Sequence, residues 1–219
     1  MSAFPGAPRV IKGGLVLLHP QTFAVLANGI IPLQYNPDTL TRTFEIKGVK
    51  EGGEDRSEAQ RLTGPPVEKI KLDAEIDATD RLEAGDSNAL QHGIAPHLAA
   101  LETLVYPTAA TLQDNFGLAQ RGTLEIMPVM SPMVLLVWST ARIVPVRLTD
   151  LSITEEAFDP QLHPLRAKVS LTLRVLSIDD LFFSDRGGSM YMTYQRRKEG
   201  LAQLYQGGTF GALGISGLP

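Results

Sequence analysis

From Leu165 to Val175 the chain alternates without a break. Leu165, Ala167, Val169, Leu171, Leu173 and Val175 point one way, and Arg166, Lys168, Ser170, Thr172 and Arg174 point the other. A period of two in aliphatic and β-branched residues specifies a strand with one dry and one wet face. A second strand-like run begins at Ile143, and the two are joined by Phe158-Asp159-Pro160-Gln161-Leu162-His163-Pro164. Two prolines and an Asx-type turn former make the chain reverse there. In the first run the apolar register reads Val144, Val146, Leu148 and then shifts to Leu151 and Ile153. That one-residue slip near Thr149-Asp150 predicts a β-bulge that bends the strand. Thirteen extended residues span roughly 43 Å, far beyond a usual strand of about 5–6 residues. Such strands suit a barrel wall or a sheet completed by neighbouring subunits.

Two more strands carry the same pattern. In Thr39 to Lys47, Leu40, Phe44 and Ile46 share a face on which Arg42 is the one intruder. In the stretch after Val67, Ile70, Leu72, Ala74, Ile76 and Ala78 face inward, and Lys69, Lys71, Asp73, Glu75 and Asp77 face outward. Lys12 to His19, Thr22 to Ala27, Ile30 to Tyr35, Gly122 to Met127 and Met133 to Ser139 also read as strands. Asn28-Gly29 is the strongest short hairpin signal. Ile94 to Tyr106 is the expected helix, with Pro96 in its first turn and Pro107 stopping it. Asp80 to Gln91 reads as at most one helical turn, the stretch before Gly122 as a loop, and Met192 to Gln206 as a short basic helix. Gly48 to Pro66 is polar and glycine-rich, which predicts a long loop or flap.

Composition narrows the function. Of 219 residues, 43% are hydrophobic, enough for a core. A net charge of −4 with no basic block argues against a nucleic-acid binder. Without cysteine there is no disulfide framework, zinc–thiolate site or thiol nucleophile. No signal peptide and no apolar run of about 18 residues is found, so a soluble protein made in the cytoplasm, with no direct membrane insertion, is expected.

The residues also offer no enzyme site. Serines lack a nucleophile elbow. His92 and His97 are five apart rather than at the spacing of a zinc helix. Asp73, Glu75 and Asp77 form a wet strand face, and the acids from Asp77 to Asp86 lack a calcium-loop pattern. No catalytic, cofactor-binding or metal residue is assigned, and no cofactor is expected. A monomeric ligand-binding β domain would want an aromatic-lined groove, against 6% aromatic residues. Long strands with open edges invite uncontrolled pairing unless closed or shared, and a ring of identical subunits closes them.

The run Pro32-Leu33-Gln34-Tyr35-Asn36-Pro37-Asp38-Thr39-Leu40 resembles the entry motif of tube-type proteins from contractile injection systems, the phage-tail-like particles that include extracellular, antifeeding-prophage-like systems. Val67 to Asp77 is similar to the family's next strand, Ile94 to Pro107 to its helix, and Met133 to Pro145 to a Pro- and Trp-containing strand. Ser152 to Arg174 is similar to its hairpin, with Leu162-His163 where the family pattern has glycine. The resemblance spans about residues 10 to 178.

It implies a mainly β (α+β) fold: an antiparallel β-sandwich or barrel of the phage-tail-tube type with one flanking α-helix, its strands completed into a ring by neighbours. The expected layout is an N-terminal arm (1–9), a tube-like β domain (10–186) and a C-terminal docking tail (187–219), where many members carry a LysM domain. The implied function is a structural baseplate or tube-initiator protein, a hexameric ring joining the central spike to the inner tube. The alternative is the bulk inner-tube subunit. Implied partners are the chain itself, the spike protein, the inner-tube protein and other baseplate components. Arg42, Glu45, Lys47, Arg166, Lys168, Arg174, Tyr191 and Tyr194 are the candidate assembly-interface residues. Assembly in the cytoplasm and incorporation into the particle complete the expectation.

Overall fold

A computed structural model describes residues 11–48, 61–122 and 131–218. All but the first residue of the expected strand from Gly122 to Met127, most of the flap and all of the N-terminal arm lie outside these residues. Seven strands form one antiparallel sheet: β1 (Gly14–Leu18), β2 (Val25–Pro32), β3 (Leu40–Glu45), β4 (Val67–Asp77), β5 (Met133–Ser139), β6 (Arg142–Phe158) and β7 (Pro164–Val175). Their order across the sheet is β2-β1-β5-β6-β7-β4-β3. The fold is α+β and mainly strand, as the tube-type resemblance implies.

The hairpin of β6 and β7 is the spine. Leu148 pairs with Leu173 and Asp150 with Thr172, so the register slips at Thr149 as the apolar pattern requires. Thr149 Oγ1 donates to Thr172 O at 3.0 Å, which satisfies a carbonyl at the bulge. The inward residues of β7, Ala167, Val169, Leu171 and Leu173, are completely buried. Leu15, Leu136 and Val144 from the other half of the sheet join them in one core with Ile70 and Leu72. The sheet therefore curls over on itself.

Side chains of the Gln34–Asn36 segment fasten the curl. Gln34 Nε2 donates to Asp77 O at 2.7 Å, and Asp77 N donates to Gln34 Oε1 at 2.9 Å. This amide imitates one peptide group and links the chain after β2 to the end of β4, which it does not pair with. Asn36 acts likewise, accepting from Gly13 N and donating to Ile11 O. The sequence resemblance thus rests on residues that hold backbone to backbone.

Helices plug the two open ends. At one end lie α1 (Thr79–Glu83), α2 (Ser87–His92) and α3 (Ala95–Glu102), whose Ile94, Leu98 and Leu101 enter the core. At the other lies α5 (Arg186–Gln203), bringing Tyr191 and Tyr194. Between them in the chain, α4 (Ala109–Gln120) buries none of its residues. The structure therefore adds helices to the one flanking helix the resemblance implies. Residues 109–120, expected as a loop, are helical with Thr108 as N-cap. The helix expected from Met192 begins earlier, at Arg186.

Asn28-Gly29 is not a hairpin turn. It sits inside β2 as a bulge, with Asn28 at φ 55 and the β1–β2 register broken between Val16 and Leu18. The real reversal is at His19–Ala24, where His19 Nδ1 accepts from the N–H groups of Gln21 and Thr22. A left-handed residue followed by glycine suits either a turn or a bulge, and the pairing of β1 with β5 leaves β2 the bulge.

The β6–β7 turn is held by Asp159. Its carboxylate accepts from the N–H groups of Gln161 and His163, and His163 Nδ1 lies 2.8 Å from it. Although desolvation acts upward, the hydrogen bonds from His163 and Gln161 hold this carboxyl below its ordinary range. Leu162, where the resembled pattern has glycine, takes φ 67 and is 78% exposed. A left-handed Leu costs roughly 1–2 kcal/mol, and glycine removes that at an entropic cost in the unfolded chain. Leu162→Gly should therefore raise the stability of the purified chain by about 0.5–1 kcal/mol, read from the urea midpoint.

Candidate assembly surface

The wet residues of β4, β7 and β6 fall into rows across the sheet. Asp77 stands opposite Arg166 and Arg166 opposite Glu156; Glu75 opposite Lys168 and Lys168 opposite Thr154. Asp73, Ser170 and Ser152 form an uncharged-to-acidic middle row. At the far end Lys69, Arg174 and Arg147 place three cations side by side. The period-two pattern thus becomes a broad hydrophilic wall, and cross-strand pairing decides which charges neutralise one another.

Every cation expected at an interface has a partner within the subunit. Arg166 Nε is 2.7 Å from Asp77 and 3.7 Å from Glu75. Lys168 pairs with Glu156 at 2.9 Å, Arg174 with Asp180 at 2.6 Å and Lys47 with Asp179 at 2.7 Å. Thr79 hydrogen bonds, joined by Arg166, hold the Asp77 carboxyl below its ordinary value despite its burial. Glu156 raises the Lys168 ammonium. These pairs on exposed side chains are each worth little to stability, roughly 0–1 kcal/mol. Their effect is to match the charges at one end of the wall, while Lys69 and Arg147 stand beside Arg174 at the other. Glu45 is exposed at the end of β3.

Arg42, Tyr191 and Tyr194 are placed differently. On β4 a carboxylate, Glu68, occupies a dry-face position and is 3% exposed. Tyr194 donates its hydroxyl to Glu68 at 2.9 Å. Arg42 lies 3.6 Å from one carboxylate oxygen and Lys198 3.5 Å from the other. The intruder on β3 therefore answers an intruder on β4, and both serve to dock α5. Tyr191 and Tyr194 are buried, and burial first, then the Glu68 charge, raises both phenols, Tyr194 to about 12. Glu68 is the residue that sequence reading missed. Its signal was a second charge at an apolar strand position.

Among the described residues three strand edges remain open: the outer edge of β2, the outer edge of β3 and part of β6. β3 pairs only with β4, and five of its six residues are exposed, Phe44 among them. β6 pairs with β5 only through Val146, so from Arg147 to Phe158 its other side has no strand beside it among the described residues. The edges of β3 and β6 flank the hydrophilic wall. Among the described residues no cluster of three or more metal-ligating side chains occurs, and no helix is long and apolar enough to cross a membrane.

Comparison with known proteins adds a family. The family model described as contractile injection system tube protein matches residues 15–180. No curated protein matches the chain. A chain of the solved structure described as "Virion of native gene transfer agent (GTA) particle" is similar at 12% identity and a TM-score of 0.24, over 74% of this chain and 95% of that one.

Proposed function

Since the chain belongs to the contractile injection system tube protein family, a family of structural tail components, we propose that it is the tube-initiating ring of the baseplate, set between the central spike and the inner tube. In this reading copies join side by side, the open edge of β3 in one meeting the free edge of β6 in the next. Pairing would satisfy backbone groups that both edges expose and would cover Phe44. The wall of β4, β7 and β6 then lines the channel, and its paired charges give a hydrophilic bore. Glu45, exposed beside Phe44 on the open edge, would lie at such a seam.

The observation that carries the initiator reading is the segment beyond residue 180, where the family match ends. There α5 is built into the core, and an exposed extension follows it. A subunit repeated along a whole tube has less use for an added arm than one that meets different neighbours above and below. The family description itself favours the second reading, a bulk tube subunit. Cryo-EM of intact particles separates them. The initiator reading expects one ring of copies, hexameric by resemblance, at the spike junction whatever the tube length. Copies that scale with tube length would establish the bulk reading instead. Assembly with the spike, tube and baseplate proteins in the cytoplasm belongs to the same proposal.

A further inference from the structure

Every residue from Leu201 to Leu218 is exposed, and the stretch from Leu201 to Pro219 carries no charged side chain. It is nevertheless rich in large apolar groups: Leu204, Tyr205, Phe210, Leu213 and Leu218 are between 47% and 79% exposed. A solvated tail is normally polar, so this composition needs a cover. Phe210–Leu213 also forms a 3-10 turn capped by Thr209, which presents Phe210 and Leu213 on a short ordered unit.

The same subunit holds a groove of about 830 Å³, of mixed apolar and polar lining, between the end of α3, the tip of β5 and the start of α5. Phe23, Val105, Met133, Leu148, Leu176 and Leu181 line it. Arg186 and Gly187, at the first turn of α5, form one of its rims. The extension leaves from the other end of that helix. Eighteen helical residues separate the two by roughly 27 Å. Groove and arm therefore start from opposite ends of one helix, and the arm, exposed throughout, does not enter the groove of its own subunit.

We propose that the extension around Phe210 and Leu213 seats in the α3–α5 groove of a second copy of this chain. The contact is head to tail, so it propagates from copy to copy and forms a ring where the rotation between copies closes. It rests on the self-assembling reading above and adds a seam separate from the β3–β6 edges. The arm brings no charged side chain to be desolvated, so the polar cost of seating it falls on Arg147, Asp185 and Arg186, which share the groove's lining with its apolar residues.

The test uses full-length chains with benzoylphenylalanine in place of Phe210, assembled from an equal mixture of unlabelled and isotope-labelled protein. Irradiation should join the 209–215 region to groove peptides containing Leu148 or Leu181, in products of mixed isotope. Cross-links confined to one isotope, to other surfaces or to another protein overturn the proposal. In parallel, Phe210→Ser with Leu213→Ser alters only exposed side chains, so the thermal midpoint should hold while half-assembly needs at least about tenfold more protein. Unchanged assembly overturns the arm contact. A wild-type chain that stays monomeric defeats the assembly reading itself, whereas rings with the arm elsewhere defeat only this inference.

Discussion

Gly93→Ala is expected to destabilise the chain by about 3–5 kcal/mol, enough to cost most of its soluble yield. Gly93 ends α2 at φ 58 and ψ −128, a region open essentially to glycine alone. Its N–H donates to Ala89 O at 2.9 Å, and the next residue, Ile94, donates to Pro164 O at 2.9 Å. The chain therefore crosses the start of β7 at backbone distance. A methyl group here would sit inside the van der Waals sphere of the Pro164 carbonyl oxygen. Relief would require α3 to withdraw, and with it the buried Ile94, Leu98 and Leu101. Gly85→Ala gives the cost of a positive φ without a clash, because Gly85 has φ 69 but open space around it. That control should lose only about 1 kcal/mol. Urea midpoints of the two variants measure the difference, and equal losses would show that packing against Pro164 is not the cause.

Much of this fold was legible because strands advertise themselves by alternation. β4, β6 and β7 are long enough for their dry and wet faces to be counted, and even the bulge at Thr149 followed from a slipped register. The legible part stops where a residue serves two geometries. Asn28-Gly29 reads as a turn, yet the same left-handed preference makes a bulge once β1 is paired on both sides. α4 stayed hidden because none of its residues is buried, so no burial pattern shaped its sequence. Interface residues fared differently again. A charge on a strand looks available to a neighbour, but Arg166, Lys168 and Arg174 are already paired with acids on adjacent strands or on the loop after β7. Only register, which sequence does not print, shows those pairings.

Glu68 carries the second large effect. Glu68→Ala should cost about 2–4 kcal/mol, less than a fully buried pair because Arg42 and Lys198 each stay about a third exposed. The loss comes chiefly from Tyr194, whose buried hydroxyl would keep no acceptor. Glu68→Gln leaves an acceptor and removes the charge, so it should cost about half as much. Combining Glu68→Ala with Tyr194→Phe should recover part of the loss, since the orphaned hydroxyl goes with it; additive effects would show that the two groups do not interact. The damage should concentrate on α5, read as faster amide exchange from 186 to 203 while β4 and β7 stay protected. Alkali tests the same contact. With Tyr194 raised to about 12 in the folded chain and near 10 unfolded, its contribution is whole below pH ~10 and lost as pH rises to ~12. Tyr194→Phe should flatten that part of the stability profile. Because α5 presents the extension, loosening this one carboxylate should weaken assembly before it unfolds the sheet.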